Sequence, residues 1–427
     1  MRRHIDTRHP TSDFRLSTSG EPSGVGRRTS PLSTFWPFSL SALLRLNWVL
    51  ILSTCCLLAV GVLFINSASA WREDAVRWIY LEQLMKWIPL GVVAHVIVAA
   101  VPYRRWLELA SMPYLGTLLL LVLVLIPGIG TKIFGARRWL FGIQPSEFAK
   151  IAVVLMLAQI LSCRVTERGL ARFVVAGAVA AVPILLIVLQ PDLGTAIVLL
   201  PTLAVMVFVS GCALRALGAL ALSGVVIGGL VVGLILGPEI VPMPERTHSR
   251  IVAVTDAFIY PHWKKRVLTF AFPDRDPLGA GWTKRMSEIA VGSGGFKGKG
   301  YLNGTQNSLG FLPRAISSTD FIFSVIAEEA GFVGSAALLS LYVLLFGSIF
   351  MTAFLCVDTG GRLLCAGVGV LLFVHVFINI AMTIGKMPIT GIPLPLVSYG
   401  GSFTISTLAM LGLVQSVAVH SRKLRVK

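Results

Sequence analysis

An all-α, polytopic integral membrane protein is the fold class this sequence predicts, on three observations. Hydrophobic residues make up 55% of the 427 positions and charged ones 13%, and the mean hydropathy is +0.80, far above a soluble domain of this size. Apolar runs long enough to cross a bilayer recur along the chain, about ten in all. Basic residues are divided unevenly between the loops joining those runs. A formal charge of +17 suggests nucleic acid in a soluble protein, but in a polytopic one basic residues collect in cytoplasmic loops, so nucleic acid drops out as a partner.

Residues 1–45 are rich in Arg, Ser, Thr and Pro and cannot bury enough apolar surface to fold alone, so they read as a disordered, basic cytoplasmic tail. The run from Leu46 to Ala68 ends in SASA, which mimics a leader-cleavage site. It is longer than the apolar core of a signal peptide and reads as the first spanning helix, with a cleaved leader as the alternative. Further spanning runs are expected at Leu84–Pro102, Leu109–Pro127, Glu147–Cys163, Phe173–Gln190, Thr195–Gly211, Leu217–Leu236, Phe321–Phe350, Leu363–Ile384 and Tyr399–His420. The transmembrane domain thus covers 46–420, and a second basic tail covers 421–427. The interval 237–320 reads as one large extracytoplasmic loop. Its eleven basic residues against seven acids suit anionic lipid head groups or a diphosphate, and equally a solvated surface. The six cysteines lie in apolar segments or at cytoplasmic ends, so no disulfide framework is implied.

The stretch Gly304–Gly334 joins the long loop to an apolar helix and places Asp320 at the join. A carboxylate at the mouth of a membrane helix is a functional-site candidate by default, and Asp is also a common N-cap; both roles are open from these residues. In GARRWLFGIQPSEFAK, Gly135–Lys150, Pro145 and Glu147 suit a first helical turn, and Glu147 and Lys150 at i and i+3 can pair inside the apolar boundary. LQPDLGTA forms a tight turn in which Asp192 caps the following helix. DPLGAGW and GSGGFKGKG, Asp276–Trp282 and Gly292–Gly300, lack the spacing of a nucleotide loop and read as flexible. In MPITGIPLPLVSYGGS, Met387–Ser402, three prolines cannot continue a helix and Gly400 and Gly401 permit a sharp turn, which predicts a cavity-lining or re-entrant segment opposite Asp320, with an ordinary interhelical loop as the alternative. Glu328 and Glu329 lie roughly 12 Å below Asp320 at 1.5 Å per residue and require partners or water. His95 and His375 fall inside apolar runs and read as hydrogen-bonded core residues. No metal-ligand spacing and no Ser-His-Asp set is present.

Taken together, QPSEFAK, QPDLGT, DPLGAGW, GSGGFKGKG, STDFIF leading to AEEAGFVG, and GIPLPLVSYGGS resemble the SEDS family (shape, elongation, division and sporulation). The resemblance covers nearly everything after Leu46. It implies a ten-helix peptidoglycan glycosyltransferase in the bacterial inner membrane that polymerises lipid II beside a class B penicillin-binding protein. Pro393, Leu278 and Lys299 match the elongation, RodA-type, branch better than the division, FtsW-type, branch. By the same match Asp320 falls on the family's essential loop aspartate, as the catalytic residue. Glu147, Lys150, Arg138, Asp192, Lys299, Ser398, Tyr399, Gly400 and Gly401 fall on its substrate cavity. No cofactor is implied, and a divalent cation is left open. The sequence departs from the family at FLPRAISSTDF, which lacks the usual Glu and His, and at MSEIA, where Met286 and Glu288 replace Gln and Lys.

On this reading Asp320 is the general base of an inverting sugar transfer, with Lys150, Arg138 and loop lysines facing the leaving diphosphate. The alternatives are a division-type polymerase, a lipid II flippase and a recruiting scaffold; a flippase gains from internal repeats, which the sequence lacks. A lipid-facing aromatic surface at Tyr342, Phe346 and Phe373 is the expected docking face for the transpeptidase.

Basic residues before the first run and after the last, with Arg104, Arg105 and Arg362 between, put both termini in the cytoplasm and 237–320 outside. Single cysteines at 20 and 290, labelled from outside intact cells, are expected to be protected and reactive respectively. Reaction at 20, or protection at 290, refutes the orientation.

Overall fold

The computed structural model describes residues 45–71, 74–133, 136–162, 169–211 and 214–421. Apart from Arg45 and Ser421, the two expected tails lie outside these residues, as do Cys163 and Cys212. In chain order the elements are α1 (Trp48–Ser69), α2 (Asp74–Ala100), α3 (Tyr103–Glu108), α4 (Ser111–Leu125), β1 (Thr131–Ile133), β2 (Ala136–Trp139), α5 (Pro145–Ser162), α6 (Gly169–Leu189), α7 (Leu193–Val209) and α8 (Leu214–Ile240). Then follow α9 (Glu245–Phe258), α10 (Pro261–Ala271), a 3-10 turn (Pro273–Arg275), α11 (Ala280–Ser293), α12 (Thr305–Ser308), α13 (Arg314–Ser317), α14 (Ile322–Leu355), α15 (Thr359–Thr383) and α16 (Gly401–His420).

Eight of the described helices are long and apolar enough to cross a membrane, and α4 and α7 are shorter apolar helices of 15 and 17 residues. Together they coincide with the apolar runs of the sequence. Their ends follow local chemistry. Asn47 caps α1 by accepting from Leu50 N at 3.0 Å, and its amide also donates to Ser348 O and Thr352 Oγ1, so the cap ties α1 to α14. Asp358 caps α15 through Gly361 N.

The bundle is centred on α15 and α16, which bury 78% and 83% of their spanning windows, whereas α8 buries only 6%. α16 packs along α2, α15 packs on α5, α7 and α14, and α14 packs on α1. The all-α expectation needs one small amendment: β1 and β2 form an antiparallel hairpin with a bulge at Thr131 and Lys132. A second tight turn at Phe141 and Gly142, both with positive φ, is closed by paired Leu140–Ile143 hydrogen bonds. These turns pair the backbone of a connection that has no helix, and they deliver Arg138 and Gln144 to the start of α7.

The interval expected as one loop is mostly helical. Pro244 and Pro261 precede or open α9 and α10, where a missing N–H costs nothing, and Lys264 pairs with Asp256 at 2.9 Å between them. Nor is the glycine-rich stretch loose. Gly331 interrupts α14 with φ 66°, and the freed backbone bonds the stretch directly: Lys299 N to Glu328 O, Gly300 N to Glu329 O, Phe332 N to Gly295 O and Val333 N to Phe296 O, at 2.9 to 3.1 Å. A Cβ on Gly298 would stand 2.1 Å from Glu329 O, so only glycine lets the two backbones meet. The flexible-loop expectation fails because unpaired backbone beside buried carboxylates would be costlier than this pairing.

Two further expectations are corrected. Ala290 is buried within α11, so an outside label should be placed at Leu278, which is 90% exposed. Tyr342 is 2% exposed and donates to Pro395 O at 2.6 Å, so the lipid-facing aromatic surface is Phe373 and Phe377, with Phe346 tucked behind Phe373.

At the centre of the bundle Lys150 has no exposed surface. Its ammonium pairs with Glu147 Oε2 at 2.9 Å and donates to His375 Nε2 at 3.0 Å, and it lies over the Phe403 ring at 5.2 Å. Ser406 Oγ donates to the same Glu147 carboxylate. Removing one member of a buried pair strands the other, at about 3–5 kcal/mol. Glu147→Ala should therefore lower the melting temperature of the purified protein sharply, and Glu147→Ala with Lys150→Met should regain most of the loss. An unchanged melting temperature in the single variant would show that the pair carries no stability.

Candidate active site

Asp320 lies in the turn between α13 and α14. The N-cap of α14 is Phe321, with no side-chain cap hydrogen bond, so the capping role open in the sequence is not the one the fold uses. The main chain of Asp320 is held instead: its carbonyl accepts from Asn379 Nδ2 at 2.8 Å, and the flanking residues are fastened by Tyr399 N to Ser318 O and by Ser398 Oγ to Thr319 O. The residue as a whole is half-buried. Loss of water around it pushes its pKa up to about 6. Arg266, the Thr319 hydroxyl and Arg138, in that order, pull the other way. The group is poised between base and acid near neutral pH.

Two arginines face this acid from different elements. Arg266, on α10, donates Nη1 to Thr390 O at 2.8 Å. Arg138, at the end of the hairpin, donates Nε to Gln190 O at 3.3 Å and Nη2 to Pro191 O, and sets Nη1 3.7 Å from Asp192 Oδ1. Asp192 caps α7 and is buried. Its carboxylate accepts from Thr195 N, Thr195 Oγ1 and Gln144 Nε2, with Ser146 Oγ at 3.4 Å. Gly391 lies where Asp320 and Arg266 approach: a Cβ there would sit 3.4 Å from Asp320 Oδ2 and 3.8 Å from Arg266 Nη2.

The other residues expected from the sequence are engaged with the protein itself. His375 and Asn379 are one turn apart on α15, so Lys150 touches that helix about 6 Å along its axis from Asn379, which holds Asp320 O. Lys299 donates to Glu328 Oε1 at 2.6 Å and to Thr305 Oγ1 at 2.5 Å, while Glu329 accepts from Ser67 Oγ and Leu302 N. Both deep acids thus have protein partners. Tyr399 bonds Gln83 through its hydroxyl, Gly400 is the N-cap of α16, and a Cβ on Gly401 would collide with the Trp87 ring at 2.5 Å. Of the departures, Met286 is buried, and Glu288 lies over Gly385 and 4.0 Å from Lys284. Among the described residues no three His, Cys, Asp or Glu side chains gather closely enough to hold a metal ion.

Sequence reasoning missed three contributors. Arg266 is one of eleven basic residues in the long interval, and nothing local distinguishes it. Gly391 shows its meaning only from what stands on either side of it. Asn379 did leave a signal: an amide in the apolar run VFINIAMT must find partners.

The chain is similar to a set of known proteins. The family model described as "Cell cycle protein", covering FtsW, RodA and SpoVE, matches residues 47–423. Peptidoglycan glycosyltransferase MrdB of Escherichia coli (strain K12) is 37% identical over 87% of this chain and 94% of its own length. Peptidoglycan glycosyltransferase RodA of Treponema pallidum (strain Nichols) is 35% identical over 87% and 97%. A solved structure described as "Structural coordination of polymerization and crosslinking by a peptidoglycan synthase complex" contains a chain 32% identical to this one. It aligns with a TM-score of 0.68 over 87% of this chain and 97% of that one. With the match running from the cap of α1 to beyond the last described helix, this chain belongs to the FtsW, RodA and SpoVE family.

Proposed function

We propose that this chain is a peptidoglycan glycosyltransferase of the elongation type, polymerising lipid II into glycan strands at the outer face of the bacterial inner membrane, with both termini cytoplasmic. The observation that carries the reading is Asp320: an acid on a half-buried residue that caps nothing, is stripped of much of its water, and stands near an arginine. The names borne by the relatives, peptidoglycan glycosyltransferase in each case, support it.

Asp320 takes the proton from an acceptor sugar hydroxyl as that oxygen attacks the anomeric carbon of a polyprenyl-diphosphate-linked donor. The new C–O bond forms as the bond to the diphosphate breaks, inverting the anomeric centre, and the electron pair leaves with the diphosphate. Asn379 holds the base in place, and the buried Lys150–Glu147 pair stiffens the turn of α15 below it. Asp320→Asn keeps the shape and removes the basicity. The purified variant should be folded, should still bind lipid II, and should lose about two orders of magnitude or more in glycan synthesis. In the parent, a raised carboxyl must be ionised to act, so the rate should fall about tenfold per pH unit below about pH 6 and be level above it. Glycan made by Asp320→Asn at close to the parent rate would sink the assignment.

The partner is a class B penicillin-binding transpeptidase, docked through its transmembrane helix on the face carrying Phe373 and Phe377, which are 49% and 58% exposed. A relative solved in a complex described by polymerisation and crosslinking supports this pairing. Phe373→Glu with Phe377→Glu should abolish co-purification while leaving the melting temperature intact; co-purification that survives both changes counts against the face.

A further inference from the structure

Two arginines stand near Asp320, and their hydrogen bonding divides their work. Arg138 has spent its fork on the protein, on Gln190 O, Pro191 O and Asp192. Each of those bonds fastens the hairpin to the turn before α7. Arg266 makes one such bond, from Nη1 to Thr390 O, and among the described residues no carboxylate lies within ion-pair distance of it. A partly buried guanidinium without a carboxylate is costly unless an anion completes it. Burial and the neighbouring Arg138 both lower the pKa of Arg266, while Asp320 and Asp192 raise it.

The space beside it is shaped as well as charged. Gly391 has φ 74° and carries no side chain at the point where a Cβ would sit 3.4 Å from Asp320 Oδ2 and 3.8 Å from Arg266 Nη2. The backbone there lies between the Asp320 carboxylate on one side and the Arg266 guanidinium on the other. Thr390 O, next to that glycine, orients the guanidinium. Asn379 holds both Asp320 O and Ile392 O, so the same amide ties the two segments together.

We infer that Arg266 is the residue that binds the diphosphate of the lipid-linked donor opposite Asp320, across Gly391, while Arg138 is a structural clamp. The inference rests on the proposed glycosyl transfer. As the sugar's bond to the diphosphate breaks, its electron pair settles on a diphosphate oxygen, and the N–H groups that Arg266 has not spent accept the growing charge as a planar fork suited to phosphate. The acceptor's proton goes to Asp320. The charged and titratable groups around this site are Asp320, Arg266, Arg138, Asp192 and His262; the His262 pKa is lowered by burial and by the two arginines.

The test uses the full-length purified protein with inorganic pyrophosphate as a competitor of lipid II polymerisation. Arg266→Gln and Arg266→Met are made together, and the one that keeps the parent's melting temperature is read. Pyrophosphate should inhibit it about tenfold to a hundredfold more weakly, the usual loss for charge-assisted hydrogen bonds, and the KM for lipid II should rise. The acid limb of its rate profile should move to higher pH, because the main charge holding the Asp320 carboxyl down is gone. Arg266→Lys, which keeps the charge and loses the fork, should fall between. Arg138→Gln should instead lower the melting temperature and leave pyrophosphate inhibition nearly unchanged. An Arg266 variant with the parent's inhibition constant, KM and pH profile overturns the inference and leaves the role of Asp320 standing. If both neutral variants unfold, pyrophosphate binding by Arg266→Lys equal to the parent's overturns it too. Glycan synthesis by Asp320→Asn, with weaker pyrophosphate inhibition in the Arg266 variant, would leave the anion site and remove the base.

Discussion

Asn379 donates one side-chain nitrogen to Asp320 O at 2.8 Å and to Ile392 O at 2.7 Å, and the site depends on that bridge. Both acceptors belong to backbone that is not helical, at the mouth of an apolar bundle where water is scarce. Each such carbonyl left unpaired would cost free energy comparable to a lost hydrogen bond. One amide on a helix answers two of them and ties the segment bearing Asp320 to the segment bearing Gly391. The other bonds between these segments, Tyr399 N to Ser318 O and Ser398 Oγ to Thr319 O, close the same seam.

The charged groups of the molecule sort by what surrounds them. Glu147 with Lys150, Glu328 with Lys299, and Asp192 with Arg138 are each matched by an opposite charge and by further hydrogen bonds. Asp320 and Arg266 are two neighbouring groups that desolvation disturbs and that, among the described residues, have no direct ion pair to relieve it. Buried charge is expensive, so a fold that keeps two such groups on either side of Gly391 spends stability on a site that substrate completes.

The break in α14 serves the same end from the other side. A 34-residue helix is about 51 Å long at 1.5 Å per residue, well beyond the bilayer core. Gly331 divides it, and the glycine-rich stretch pairs with the exposed backbone at the division. The first turns of α14, which follow Asp320 directly, are thereby clamped through Glu328 and Glu329 to the loop above and to Ser67 of α1.

Much of this was written locally. Apolar runs determine which residues span, because burial in lipid rewards composition over a window of about 20 residues and needs no knowledge of neighbours. The prolines of 387–402 rule out a helix there, and the Glu147–Lys150 spacing already places those charges on one face, since both follow from covalent geometry and helical pitch. What the sequence could not decide was which of two acids at helix mouths would be matched by an opposite charge. Asp320 and Asp192 both sit just before an apolar helix, and local chemistry treats them alike; only packing makes Asp192 a satisfied cap and leaves Asp320 capping nothing. The same holds for Arg266 among the basic residues of its interval and for Gly391 between acid and guanidinium. Their roles depend on contacts spanning 124 residues from Arg266 to Thr390 and 59 from Asp320 to Asn379, and such distances are set by the tertiary fold alone.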